Sequence, residues 1–289
     1  MPDHEKEKEK EKEREKSAAP VVAEPSLTSP ANPAQHKVAP PTEEEAASAF
    51  FAAPLPGFDA SEISGTLIVI EGMDGSGRST QISLLQEWLE SEGFAVQTSG
   101  LRRSNLVGRD IDELLAKNAV TRLTLALMYC TDFFDQLEHR IVPALKSGAV
   151  VLADRYIFTL IARAAVRGIG RDYLHGLYDI ALRPDLTFWL NVRPEVAFDR
   201  EFKKSQTISY WESGRDMSLS NDLFQSFIRY QSLIKREFEY LSKRHGFIEL
   251  DGEGSVSEVN RVLRKRIASH LGIRSTHYQP SHALSHLWR

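Results

Sequence analysis

Apolar residues recur along this chain in two alternating rhythms that begin near residue 65 and stop near residue 272. Residues 66–71 (TLIVIE) form a continuous apolar run, the pattern of a strand buried on both faces of a parallel sheet. Next, STQISLLQEWLESEG has apolar residues at helical spacing and ends on Gly93, a stop signal. FAVQTS (94–99) predicts a second strand, AVVLADR (149–155) a third, DLTFWLNV (185–192) a fourth and GFIELD (246–251) a fifth. The long segment TRLTLALMYCTDFFDQLEHRIVPALKSG reads as a helix kinked near Pro143. Strands alternating with helices predict an α/β fold of three layers, a five-stranded parallel sheet flanked by helices. Its ligands are expected at the carboxyl ends of the strands.

Before residue 65 the rhythm is absent. Residues 5–16 (EKEKEKEKEREK) place opposite charges at i,i+3 but like charges at i,i+4, which gives a helix little net support. A stretch rich in Pro, Ala and Ser follows, with too little apolar surface to offset its ordering entropy. The expected organisation is a largely disordered arm over 1–64, with a helical signal near EEEAASAFFAAP. A folded domain over 65–272 and a tail over 273–289 follow it.

Composition narrows the function. The chain has 289 residues, 42% of them hydrophobic, and a formal net charge of -4. No basic excess exists to neutralise a nucleic-acid backbone, so no nucleic-acid partner is expected. No apolar run reaches the length of a membrane span, and the N-terminus lacks a signal-peptide core, so a cytoplasmic location is expected. Cys130 is the lone cysteine and reads as a small buried hydrophobe. Histidines 270, 277, 282 and 286 are irregularly spaced and suggest no metal site.

The chemistry centres on EGMDGSGRST (71–80), which lies between a strand and a helix. It fits the phosphate-gripping pattern G-x-x-x-x-G-K-[ST] with arginine in the lysine place. Gly72, Gly75 and Gly77 let backbone N–H groups, with those of Ser76, Arg78, Ser79 and Thr80, converge on phosphates at the positive end of a helix. Ser79 is a candidate ligand for phosphate-bound Mg²⁺, and the loop implies ATP as phosphoryl donor. Arg78 keeps the charge, but a planar guanidinium is not a compact ammonium on a flexible stem. The loop therefore predicts nucleotide binding and questions the catalytic rate.

Four segments, from GTLIVIEGMDGSGRSTQISLLQEWLESEGF through ALMYCTDFFDQLEHRIVPALKSGAVVLADRY and RPDLTFWLNVRPEVAFDR to FIELDGEGSVSEVNRVLRKRI, together resemble the thymidylate kinase family of P-loop nucleoside monophosphate kinases. The resemblance covers roughly residues 65–271. It implies a P-loop NTPase-type fold, phosphoryl transfer from ATP to a nucleoside monophosphate, most simply dTMP, and a homodimer. Position by position, it implies Asp74 on the acceptor sugar and Arg103 and Arg155 on the acceptor phosphate. It puts Asp154 beside Mg²⁺, Tyr129 on the base, Arg200 at the start of a mobile lid and Arg215 as a lid arginine. Gly75 marks the branch whose catalytic arginine comes from the lid.

The departures gather around the base. Phe133 stands where the family carries a base-reading arginine, and Arg163 and Ala164 replace an aromatic residue and a Gln or Thr. Gly100 lies where an aromatic is lost. Phosphate and sugar handles remain while base readers change, so base recognition is expected to be relaxed or redirected. Three readings stay open: a dTMP kinase, a kinase of another monophosphate, and a nucleotide-binding regulatory module whose catalysis has decayed.

Overall fold

The computed structural model describes residues 49–52 and 54–273. The charged run, most of the predicted arm and the tail from 274 lie outside them, as does the helical signal over 43–48. Among the described residues the strands are β1 (Thr66–Glu71), β2 (Val96–Gly100), β3 (Val150–Asp154), β4 (Leu186–Asn191) and β5 (Ile248–Asp251). The longer helices are α1 (Arg78–Ser91), α2 (Gly108–Ala116), α3 (Arg122–Gln136), α4 (Val142–Lys146), α5 (Ile157–Val166), α6 (Arg171–Leu177), α7 (Pro194–Ser205), α8 (Leu223–His245) and α9 (Val256–Leu271).

The sheet has the order β2-β3-β1-β4-β5 and every pairing is parallel. In β1 successive side chains point to opposite faces. Ile68 and Ile70 enter the core shared with Leu85 and Leu89 of α1 and Leu263 of α9. Leu67 and Val69 enter the core shared with Phe133, Ile161 and Phe238 of α3, α5 and α8. These four residues are at most 1% exposed, and their burial contributes on the order of 8 kcal/mol before chain entropy. The chain winds from β1 to β2 and β3 on one side, then crosses to β4 and β5 on the other. The end of β1 therefore lies where the winding direction changes, the place at which such sheets form a crevice.

The long predicted helix runs from α3 to α4 through a π turn at Leu137–Ile141. Pro143 has no N–H and would clash with the carbonyl four residues back, and the wider turn just before it relieves the ladder. The predicted boundary at residue 65 differs from the structure. Phe50 bridges antiparallel to Leu182 and is 1% exposed. Arg183 donates to the carbonyl oxygens of Phe50 (2.6 Å) and Phe51 (2.9 Å) and lies over the Phe51 ring. Leu55 and Ala60 are also buried. This segment has no periodicity of its own, so only tertiary contacts reveal that it packs on the domain.

Candidate active site

The loop between β1 and α1 owes its shape to close approaches. Gly75 has φ +79°, and a Cβ there would sit 2.2 Å from the carbonyl oxygen of Ala197 in α7. No side chain fits at this position, so a cation on this flank of the cleft must come from elsewhere. Gly77 caps α1 and offers no side-chain acceptor, which leaves the N–H groups of the first helical turn for a ligand.

The Arg78 guanidinium is engaged by the loop itself and by the end of β3. Its Nη1 donates to the carbonyls of Gly72 and Met73 and to Ser76 Oγ (3.0 Å), and its Nε donates to Asp154 Oδ1 (2.9 Å). The residue is 7% exposed. Ser79 Oγ donates to the other oxygen of Asp154 at 2.9 Å. Burial alone would raise the Asp154 pKa, but Arg78 and then Arg155 hold it below the usual carboxylate value. Ser79 and Asp154 bring a hydroxyl and a carboxylate together, hard oxygen donors that suit Mg²⁺.

At the end of β3, Arg155 has φ +74° and its N–H donates to the carbonyl oxygen of Ile70 at 3.1 Å. Its Nη2 pairs with Asp74, and its buried Nε has no partner among the described residues. An orphaned guanidinium donor in a cleft is what an absent anion would satisfy. Arg163 Nη2 donates to both oxygens of Asp74, at 3.1 and 2.8 Å. Burial works against the Asp74 carboxylate, yet Arg155 and Arg163 outweigh it and keep it ionised. Glu212 is pushed upward, first by the negative Asp74 and then by burial.

Arg103 rides on a turn hung from α3. Asp132 accepts from the backbone N–H groups of Arg102 (2.7 Å) and Ser104 (2.9 Å), and Gln136 Nε2 donates to Gly100 O at 2.8 Å. A Cβ on Gly100 would meet Arg103 Cζ at 3.2 Å, so the missing aromatic near this position leaves room for Arg103. The loop residues 74–80, Arg103, Asp154 and Arg155 line one cleft of about 530 Å³. Arg200 and Lys204 line it from α7, at i+3 and i+7 from Ala197 and thus on the face that meets the loop. Arg200 donates to the carbonyl oxygens of Gly252 and Glu253.

The remaining expected residues lie elsewhere. Tyr129 and Arg163 line a second cavity together with Trp211. That cavity is about 30 Å³, room for a single water. Phe133 is core: its ring meets those of Phe134, Tyr156 and Tyr178 at 5.0, 5.0 and 5.7 Å. Arg215 is exposed, in a short 3-10 turn, and lines neither the cleft nor the cavity.

Several site residues escape the sequence reading. Asp132 with Gln136 at i+4 is detectable as a polar pair on an otherwise apolar helix face. Glu71 ends β1 at 0% exposure and accepts from Tyr156 N (2.9 Å), Thr159 N (3.2 Å) and Thr159 Oγ1. Burial raises its pKa to about 7 against these donors. Arg167 and Asp216 form a bidentate pair at 2.9 and 3.1 Å, with side chains 5% and 6% exposed. Arg167 also donates to Trp211 O and Tyr230 Oη, and Trp211 Nε1 donates to Leu115 O at 3.2 Å. Segment 206–222 is thereby tied to Arg167 of the chain after α5 and to Leu115 of α2. No local pattern announces that pair.

A family model described as thymidylate kinase matches residues 70–259. The chain is similar to "Probable thymidylate kinase 2" of Saccharolobus solfataricus, 36% identical over 208 residues, which is 72% of this chain and 97% of that protein. It is similar to the thymidylate kinase of Caldicellulosiruptor saccharolyticus, 30% identical over 211 residues, 71% of this chain and 97% of the other. It is also 28% identical over 214 residues to the thymidylate kinase of Caldanaerobacter subterraneus, 72% of this chain and 97% of that one.

Proposed function

This chain belongs to the thymidylate kinase family and is a nucleoside monophosphate kinase, and from that premise we propose that it transfers the γ-phosphoryl group of ATP to dTMP. One observation carries the reading: the glycine loop, Asp154, Arg103 and Arg155 share a single cleft. An oxygen of the acceptor phosphate forms a bond to the γ-phosphorus while the bond from that phosphorus to the bridging oxygen breaks, giving dTDP and ADP. Such transfer asks for alignment and charge neutralisation more than for covalent help.

The loop N–H groups hold the donor phosphates. Arg103 and Arg155 hold the acceptor phosphate, which takes up the unpaired Nε of Arg155. Asp74 and Arg163 face the acceptor nucleoside. Arg200 and Lys204 supply the lid-side positive charge on the flank where Gly75 admits no side chain, a role the resemblance alone suggests for Arg215. Ser79 and Asp154 would hold Mg²⁺, which screens the phosphate charges when bound. Release and closure of segment 206–222 admit the acceptor and then exclude water, which would otherwise divert transfer into hydrolysis.

A coupled ADP-release assay over a panel of monophosphates tests this function. Turnover of dTMP is expected, with a loss of about a hundredfold or more in kcat/KM for Arg155→Ala at an unchanged ATP KM. Nucleotide binding by calorimetry with no turnover of any monophosphate would instead support the regulatory module. The engagement of Arg78 with its own loop is the observation that favours that second reading.

Among the described residues no helix is long and apolar enough to cross a membrane.

A further inference from the structure

The base-side cavity has an unusual chemistry. The lining side chains that can form hydrogen bonds there are arginines, tyrosines and a tryptophan. No carboxylate or amide side chain is among them. Arg167 is fully occupied, with Nε on Asp216, Nη1 on Tyr230 and Arg163 O, and Nη2 on Trp211 O and Asp216. Arg163 is different. Only its Nη2 is engaged, on Asp74, while Nε and Nη1 have no protein partner among the described residues. Its side chain retains 18% exposure and lines both this cavity and the pocket around Asp74. Asp74 also fixes the guanidinium in place, because both carboxylate oxygens accept from it. Tyr129 faces the same cavity from α3, and Leu125, Ala126, Leu160 and Ala164 supply its apolar wall.

We propose that Arg163, reaching from α5, reads the acceptor base in place of a side chain at position 133. Its free N–H groups donate to a ring carbonyl, so the site takes a 2,4-dioxopyrimidine and rejects bases that present an exocyclic amine. The inference rests on the kinase reading for the identity of the acceptor side. Its chemistry follows from the guanidinium: Arg163 donates and cannot accept, so where it meets a ring carbonyl of thymine or uracil an exocyclic amine in that place finds no acceptor on it. Base recognition is on this account redirected rather than relaxed. The apolar wall of Leu125, Ala126, Leu160 and Ala164 suits the thymine methyl.

The test compares dTMP, dUMP, dCMP, dAMP and the abasic deoxyribose 5-phosphate in wild type, Arg163→Gln and Arg163→Lys. Wild type is expected to favour dTMP and dUMP over dCMP and dAMP by about a hundredfold in kcat/KM. Glutamine offers an acceptor as well as a donor, so Arg163→Gln narrows the dTMP:dCMP ratio by about tenfold or more. Arg163→Lys keeps its direction, and inhibition by the abasic phosphate changes several-fold less than the use of dTMP does in Arg163→Gln. If Arg163→Gln weakens dTMP, dCMP and the abasic compound equally, Arg163 acts only through Asp74 and the proposal fails. A wild type without base preference overturns it too. Should the protein turn over no monophosphate, the kinase reading fails on its own, and calorimetric binding of dTMP against dCMP still decides the base question.

Discussion

Replacing Arg78 by lysine separates two roles that the loop motif merges. The guanidinium bonds Asp154, Ser76 Oγ and two loop carbonyls from a position 7% exposed to solvent. A single ammonium on a linear stem cannot reach all four acceptors. Leaving two of them unpaired, at about 1–3 kcal/mol each, predicts a loss of about 3 kcal/mol. For a domain of this size that corresponds to a fall in Tm of about 6–12 °C. Urea unfolding should show a lower midpoint at an unchanged slope, because the surface exposed on unfolding does not change. At the same time the freed ammonium can follow the moving phosphoryl group, so kcat in the ADP-release assay should hold or rise. A variant as stable as wild type, with kcat sharply reduced, would show that Arg78 touches phosphate and does not clamp the loop.

Two further outcomes follow from buried charge. Glu71 has a native pKa of about 7 against 4.5 for the free side chain, a gap worth about 3 kcal/mol. A raised carboxyl pKa gives stability that is fully present below pH 4.5 and lost as pH rises through 7, so urea stability measured from pH 4.5 to 8 should fall more steeply in wild type than in Glu71→Gln, and parallel curves would contradict the assignment. Asp216→Ala leaves Arg167 buried without its carboxylate, costing about 3 kcal/mol. It also unlatches Trp211, so the acceptor should associate faster in stopped-flow fluorescence; an unchanged association rate would mean that segment 206–222 does not gate entry.

Much of this protein is local in origin. The five strands, the helices between them and the glycine loop follow from side-chain spacing within stretches of fewer than thirty residues. Such spacing acts on the chain wherever it lies, so β1, α1 and the loop were legible before any contact was known. Aspartate and arginine at the end of β3 belong with these, since a strand end in a parallel sheet is already a ligand-facing position.

Other features arise only when distant segments meet. Arg78 reads locally as a phosphate ligand, but Asp154, 76 residues away, holds its guanidinium through Nε. Phe133 stands at a position where the resemblance implies a base reader, and Tyr156 and Tyr178 close around it as core. The pair Arg167–Asp216 spans 49 residues, and the docking of Phe50 on Leu182 spans still more. Even the pKa of Glu71 depends on how completely α5 covers the end of β1. In each case the sequence supplied the charge or the ring by itself, whereas the crossover order of the sheet decided its partner. Electrostatic strength and burial depend on neighbours in space, and neighbours in space are a property of the whole fold.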